Sequence, residues 1–207
     1  MKTYESCPKK KRARFKTIIS QYRHNFQRQL PPEKQYWTMC ATCARDGVVM
    51  LGSEFDQILK SGLIQPEQFH GVDIIPEIIE ANRSAIPRAN WHLGDFYQML
   101  VEAQNGNNFN PGIVNCDLMV MPSQGVQFVA KILSLLSDEE EIMLIANFVL
   151  RARQNKSSAE EIFGLFSRYP QFQYAKKRGW VSDNQVYVYN GTGTNRSVLG
   201  TVVFCKG

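Results

Sequence analysis

Between Arg14 and Leu30 the apolar residues Phe15, Ile18, Ile19, Tyr22 and Phe26 recur at helical spacing, with basic and amide residues between them. That pattern predicts an amphipathic helix ending before Pro31-Pro32, because proline disfavours helical backbone in the residue ahead of it. A weaker helical segment is expected over 33–44. From there short apolar runs alternate with helical ones. "GVVMLG" (47–52) reads as a buried strand, and "EFDQILKSGLI" (54–64) as a helix with Phe55, Ile58, Leu59 and Leu63 inward. "FHGVDI" (69–74) is the next strand, and "PEIIEANRSAI" (76–86) is a helix with proline at its first position, where the missing N–H costs nothing. "NWHLGDF" (90–96) and "IVNCDLMVM" (113–121) read as strands, separated by the helix "YQMLVEAQ" (97–104) and the turn-rich loop "NGNNFNPG" (105–112). A helix "SQGVQFVAKILSLL" (123–136), a strand "EIMLIANFVL" (141–150) and a helix "SAEEIFGLFSRY" (158–169) follow, the last with Ser157 or Ser158 as its cap.

This alternation implies an α/β fold with a parallel sheet covered on both faces. The chain beyond Gln171 breaks the rhythm. No helix is expected there, and "VYVY" (186–189) and "VLGTVVF" (198–204), joined by "NGTGTNRS" (190–197), form a β-hairpin.

With 207 residues, 43% of them hydrophobic, the chain is long enough for one large core. No apolar run approaches the roughly 20 residues of a membrane span, and the basic N-terminus lacks the apolar stretch of a secretion signal, so a cytoplasmic protein without membrane contact is expected. The five cysteines, Cys7, Cys40, Cys43, Cys116 and Cys205, are scattered as in a reducing compartment. Cys40 and Cys43 form a CxxC, but a structural zinc site needs a second ligand pair, and His24, His70 and His92 are not at ligand spacing; no metal is expected. The net charge of +5 is concentrated in Lys9, Lys10, Lys11, Arg12, Arg14 and Lys16. Such a run is either a solvated arm or a sequence-independent nucleic-acid contact, and in a eukaryotic cell "PKKKRAR" also reads as a nuclear-import cluster.

In an open α/β sheet, ligands bind outside the carboxyl ends of the strands. The residues at those ends are Gly52, Ser53 and Glu54 after the first run, Asp73 and Ile74 after the second, Asp95 and Phe96 after the third, and Asp117 or Pro122-Ser123 after the fourth. An acid roughly 20 residues beyond the first-turn glycine is where a ribose diol is held, and Asp73 stands 21 positions after Gly52. A carboxylate accepts two hydroxyl hydrogen bonds at once. Local roles compete: Asp73 also suits the dipole of the helix that follows, and Asp95 suits a turn. Trp91, Trp180, His92 and Cys116 read as packing residues, and Trp37 as either packing or recognition.

The order of five βα units and a closing hairpin, with "LGSE", "GVDI", "GDF" and "NCDLMVMP" at the strand ends, resembles the class I S-adenosylmethionine-dependent methyltransferases over about residues 47–207. The resemblance implies a Rossmann-like fold: a mostly parallel seven-stranded sheet ending in an antiparallel hairpin, with helices on both faces. It makes 47–207 the cofactor domain and 1–46 a basic arm with helices that serve as lid and substrate element. The cofactor implied is S-adenosylmethionine, with Gly52 at its methionine part, Asp73 on the ribose, Asp95 on the adenine amino group, and Ile74 and Phe96 packing on the adenine. The chain departs from the family pattern at the first turn, where Ser53 and Glu54 replace a second small residue and a glycine; Glu54 there suits the cofactor's ammonium. The fourth strand lacks the Asn-Pro-Pro-aromatic motif of amino-methylating nucleic-acid enzymes; Asp117 faces the acceptor if the strand ends at Cys116, and Pro122 and Ser123 do if it ends at Met121, with Asp117 the expected catalytic residue. The implied acceptor is a nucleic acid or a small anionic metabolite. The alternative is a non-catalytic module that holds a nucleic acid or a partner protein.

Overall fold

The computed structural model describes residues 8–26, 29–39, 43–106, 109–118, 120–150, 159–190 and 198–207. Its sheet is organised around β1 (Gln35–Met39), which lies between β4 (Phe69–Asp73) and β6 (Pro111–Asp117), parallel to both. Beyond β4 lies the edge strand β5 (Asn90–Leu93), and beyond β6 lies β7 (Ile142–Leu150), all in the same direction. β10 (Val198–Lys206) pairs antiparallel with β7. On its outer side β10 takes β8 (Val181–Ser182) near one end and β9 (Tyr187–Asn190) near the other, so these two short strands share the seventh position.

Three stretches differ most from the sequence pattern. Residues expected as a helix over 33–44 supply the central strand: Tyr36, Trp37 and Thr38 are aromatic or β-branched, all three are buried, and neighbours on both sides satisfy their backbone. The run expected as the first strand, 47–52, instead lies in a small separate hairpin of β2 (Ala44–Arg45) and β3 (Val48–Val49). Asp46 and Gly47, both at positive φ (51° and 74°), form the two-residue Asp-Gly turn that suits the twist of paired strands. A helix also occurs where none is expected: α7 (Pro170–Lys177) starts on its proline and buries Phe172 and Ala175. The turn expected over 190–197 lies almost wholly outside the described residues.

Helices cover both faces. α1 (Pro8–Phe26), α2 (Glu54–Lys60) and α3 (Pro76–Ala85) bring Phe15, Ile18, Ile58 and Ile79 onto a face formed by Tyr36, Ile113, Ile145 and Val203. α4 (Phe96–Asn105), α5 (Pro122–Leu135), α6 (Ala159–Phe166) and α7 close the other face, where Leu100, Val129, Phe166 and Phe172 pack with Trp37, Val114, Leu144 and Phe204. Each such side chain, fully buried, contributes about 1.5–3 kcal/mol relative to exposure. Among the described residues no helix is long and apolar enough to cross a membrane.

Candidate active site

Strand order reverses at β1. From it the chain moves outward through β4 and β5, then returns to the other side for β6 and β7. The carboxyl ends of β1 and β6 therefore flank the switch point where such sheets hold ligands.

Beneath that point lies a buried polar network that joins several elements of the sheet to α1 and α2. Glu54, the first residue of α2, is 6% exposed. Its Oε1 accepts from the Tyr36 hydroxyl at 2.6 Å and from Asn115 Nδ2 at 2.8 Å. Asn147 Nδ2 donates to Asn115 Oδ1 at 2.8 Å, and Thr201 Oγ1 donates to Asn147 Oδ1 at 2.5 Å. Donors thus run from β10 through β7 and β6 toward one carboxylate, an arrangement in which each bond polarises the next. Arg14 of α1 completes the cluster: its Nη1 donates to Asp117 Oδ1 at 2.7 Å and its Nη2 lies 3.9 Å from Glu54 Oε2. Arg14 Nε is buried without a hydrogen-bond partner among the described residues. Burial raises the Glu54 carboxyl above its ordinary range, opposed by Arg14, Tyr36 and Asn115. Burial, followed by the adjacent Glu54 charge, pushes the Tyr36 phenol well up.

The residues expected from sequence lie in different settings. Asp73 ends β4 half-buried, and its Oδ1 accepts the Ile75 N–H at 2.9 Å. Partial burial raises its carboxyl, opposed by the Ile75 and Ile74 amides. Ile74 beside it is 72% exposed, and Leu93, at the end of β5, is 51% exposed. The Gly94 N–H donates to the Asp73 carbonyl at 3.0 Å, tying the two strand ends together. Asp95 caps α4 by accepting the Gln98 N–H at 3.0 Å, while Phe96 is buried. Gly52 turns at φ 80° and donates its N–H to Asp56 Oδ2 at 2.8 Å; Ser53 caps α2 by accepting the Asp56 N–H. The side chains of Ser53 and Glu54 are therefore engaged within the protein. Asp117, 14% exposed, is the outermost acid of the buried network.

Several participants are hidden in the sequence. Arg14 reads as part of the basic run, and Tyr36 as part of a helix. Asn115, Asn147 and Thr201 leave a trace as single polar residues inside otherwise apolar strand runs. Asn82 of α3, completely buried, accepts the N–H groups of both Cys43 and Ala44 at 2.9 Å through its Oδ1.

His70 and His92 are joined edge to edge, Nδ1 to Nε2, at 3.1 Å; their rings are within 9° of parallel, and both stack on Trp37. Burial drives His70 down to about 3 and holds His92 below its ordinary value. Cys116 is a buried strand thiol whose burial pushes its pKa up. Cys40 of the CxxC lies outside the described residues, and among those described no group of three or more metal-ligating side chains assembles.

No family model matches the chain, and no curated protein does. Solved structures do. The chain is similar to the fibrillarin/NOP5P complex, at 9% identity over 96% of this chain and 83% of that one, with a TM-score of 0.51. It is similar to cofactor-bound Rv0187 from MTB at 10% identity, covering 99% and 82% of the two chains, with a TM-score of 0.51. It is also similar to DesVI from Streptomyces venezuelae at 10% identity, covering 95% and 92%, with a TM-score of 0.50. These matches accompany a five-strand parallel sheet extended by an antiparallel strand and its hairpin partner. The fold is that of the class I S-adenosylmethionine-dependent methyltransferases. In this methyltransferase fold the segment leaving β1 and the acids ending β4 and β6 border the switch point, and the buried network lies under the β1–β6 side of it.

Proposed function

We propose that the chain binds S-adenosylmethionine at the carboxyl ends of β1, β4 and β5 and transfers its methyl group to an acceptor near Asp117. The observation that carries this reading is Asp73: a half-buried carboxylate ending the strand next to β1, beside the exposed apolar faces of Ile74 and Leu93. A ribose diol suits the carboxylate and an adenine suits the apolar pair, so these residues fit the adenosyl part. Asp95 lies at the neighbouring strand end for the adenine amino group, and Phe96 supports that end from within the core. Gly52, Ser53 and Glu54 serve this reading as the base of the methionine end, with Glu54 supplying negative potential from beneath.

The cofactor supplies a methyl group activated on a sulfonium. The protein's part is to hold the acceptor in line with it and to exclude water, which is chiefly a matter of positioning. Arg14 fixes the orientation of Asp117 and balances its charge. For an acceptor that must lose a proton, Asp117 is the carboxylate that receives it. The acceptor class is a nucleic acid, favoured by the basic run over Lys9–Arg12, or a small anionic metabolite.

A second reading, the non-catalytic module, is favoured by two features: no glycine stands between Met39 and Gly47, and the Glu54 side chain is engaged in the network. Thermal melting with S-adenosylhomocysteine tests the first reading. Ligand at one hundred times its dissociation constant stabilises by about 2.7 kcal/mol. A melting temperature unmoved by millimolar ligand, together with salt-sensitive RNA binding that ignores it, would favour the module.

A further inference from the structure

The segment that leaves β1 contains no glycine before Gly47, so it cannot approach a ligand by glycine's backbone freedom. Its described part, from Cys43, is held by Asn82. This side chain, 0% exposed in the middle of α3, uses a single oxygen to accept two consecutive backbone N–H groups, those of Cys43 and Ala44, each at 2.9 Å. Cys43 and Ala44 are themselves buried. The Met50 N–H donates to the Cys43 carbonyl at 2.8 Å and closes the base of the β2–β3 hairpin. Beyond this locked base Val48 is 67% and Leu51 85% exposed. The hairpin is thus fixed to α3 at its root and presents apolar side chains outward, next to the strand end at which the fold binds its ligand.

We infer that Asn82 is a positioning residue for S-adenosylmethionine: it fixes Cys43 and Ala44 at the root of the β2–β3 hairpin that follows β1. The inference rests on the proposed cofactor reading. Asn82 is fully buried and acts through the Cys43 and Ala44 amides. An acceptor oxygen at this position is essential, a carboxylate supplies one, and a side chain one methylene longer moves it.

The test is calorimetric titration of the full chain with S-adenosylhomocysteine, alongside thermal melting, for the wild type, Asn82→Asp, Asn82→Gln, Asn82→Ala and the control Ile79→Val on the same helix. Asn82→Asp keeps an acceptor oxygen but buries an uncompensated charge, so it is expected to lower the melting temperature while holding affinity closer to wild type than Asn82→Gln does. Asn82→Gln and Asn82→Ala are expected to raise the dissociation constant by about tenfold, as for the loss of an anchoring hydrogen bond. Ile79→Val is expected to lower the melting temperature without changing affinity. Should Asn82→Ala fail to fold, Asn82→Gln carries the comparison. Wild-type affinity in Asn82→Gln, or a loss of affinity that Ile79→Val reproduces at equal melting temperature, overturns the inference. No binding by the folded wild type instead overturns the cofactor reading, and the role of Asn82 with it.

Discussion

Replacing Arg14 by methionine removes the cation that lies between two shielded carboxylates. Arg14, Glu54 and Asp117 have side-chain exposures of 5%, 6% and 14%, so their charges are poorly screened by water. Breaking a buried ion pair by deleting one partner costs about 3–5 kcal/mol, because the remaining charge is left uncompensated. Asp117 retains some contact with solvent, which favours the lower end, about 3 kcal/mol. In a chain of this length each kcal/mol moves the melting temperature by about 2–4 °C, so a fall of about 6–12 °C is expected. Urea denaturation gives the free energy directly. The double variant Arg14→Met with Asp117→Asn should recover more than half of the loss, since it removes one of the stranded charges. Arg14→Lys should recover less than a neutral partner swap would suggest, because an ammonium lacks the planar fork that spans two acceptors. An Arg14→Met variant within about 1 kcal/mol of wild type would refute the view that this is a shielded ionic cluster.

Acid should weaken the fold through the histidine pair. His70 is held to about 3 in the folded protein against an ordinary value of 6.5, so the unfolded chain takes up the proton first. The stability present above pH 6.5 is lost as the pH falls toward 3, and His70→Gln should flatten that slope between about pH 6.5 and 5, where most carboxylates do not titrate; an unchanged slope contradicts the buried neutral pair. Alanine at Lys9, Lys10, Lys11 and Arg12 should weaken single-stranded RNA binding and reduce its salt dependence, by about 0.7 in the log–log slope for each phosphate no longer neutralised. An unaltered slope would assign the run to a solvated arm.

Much of the fold is legible in the sequence because its signals are local. Pro76 opens α3, Asp73 closes β4 and Asp95 caps α4; each can be read within a few residues. β1 is hidden because "QYWTM" is only five residues long and becomes a strand through its pairing with β4 and β6, which arrive much later in the chain. Gly52 resembles a cofactor glycine, yet its positive φ serves a local turn whose N–H is bound by Asp56. α7 is concealed by Pro170, which reads as a breaker but serves as a helix start. The buried network is the least legible part. Arg14 meets Asp117 across 103 positions of sequence, and Glu54 meets Asn115 across 61, so neither environment follows from neighbouring residues. Arg14 belongs by sequence to the basic run although it turns into the core, whereas Lys16 of the same run is exposed.

The central claim is that Asp73 anchors an adenosyl cofactor at the carboxyl edge of the sheet. Calorimetric titration of S-adenosylhomocysteine into the wild type and into Asp73→Ala tests it directly, with a melting curve to establish that both are folded. Micromolar binding by the wild type, lost in Asp73→Ala, is the expected result. Equal affinity in the two proteins would remove Asp73 from the site, and no heat from a folded wild type would contradict the cofactor reading as a whole.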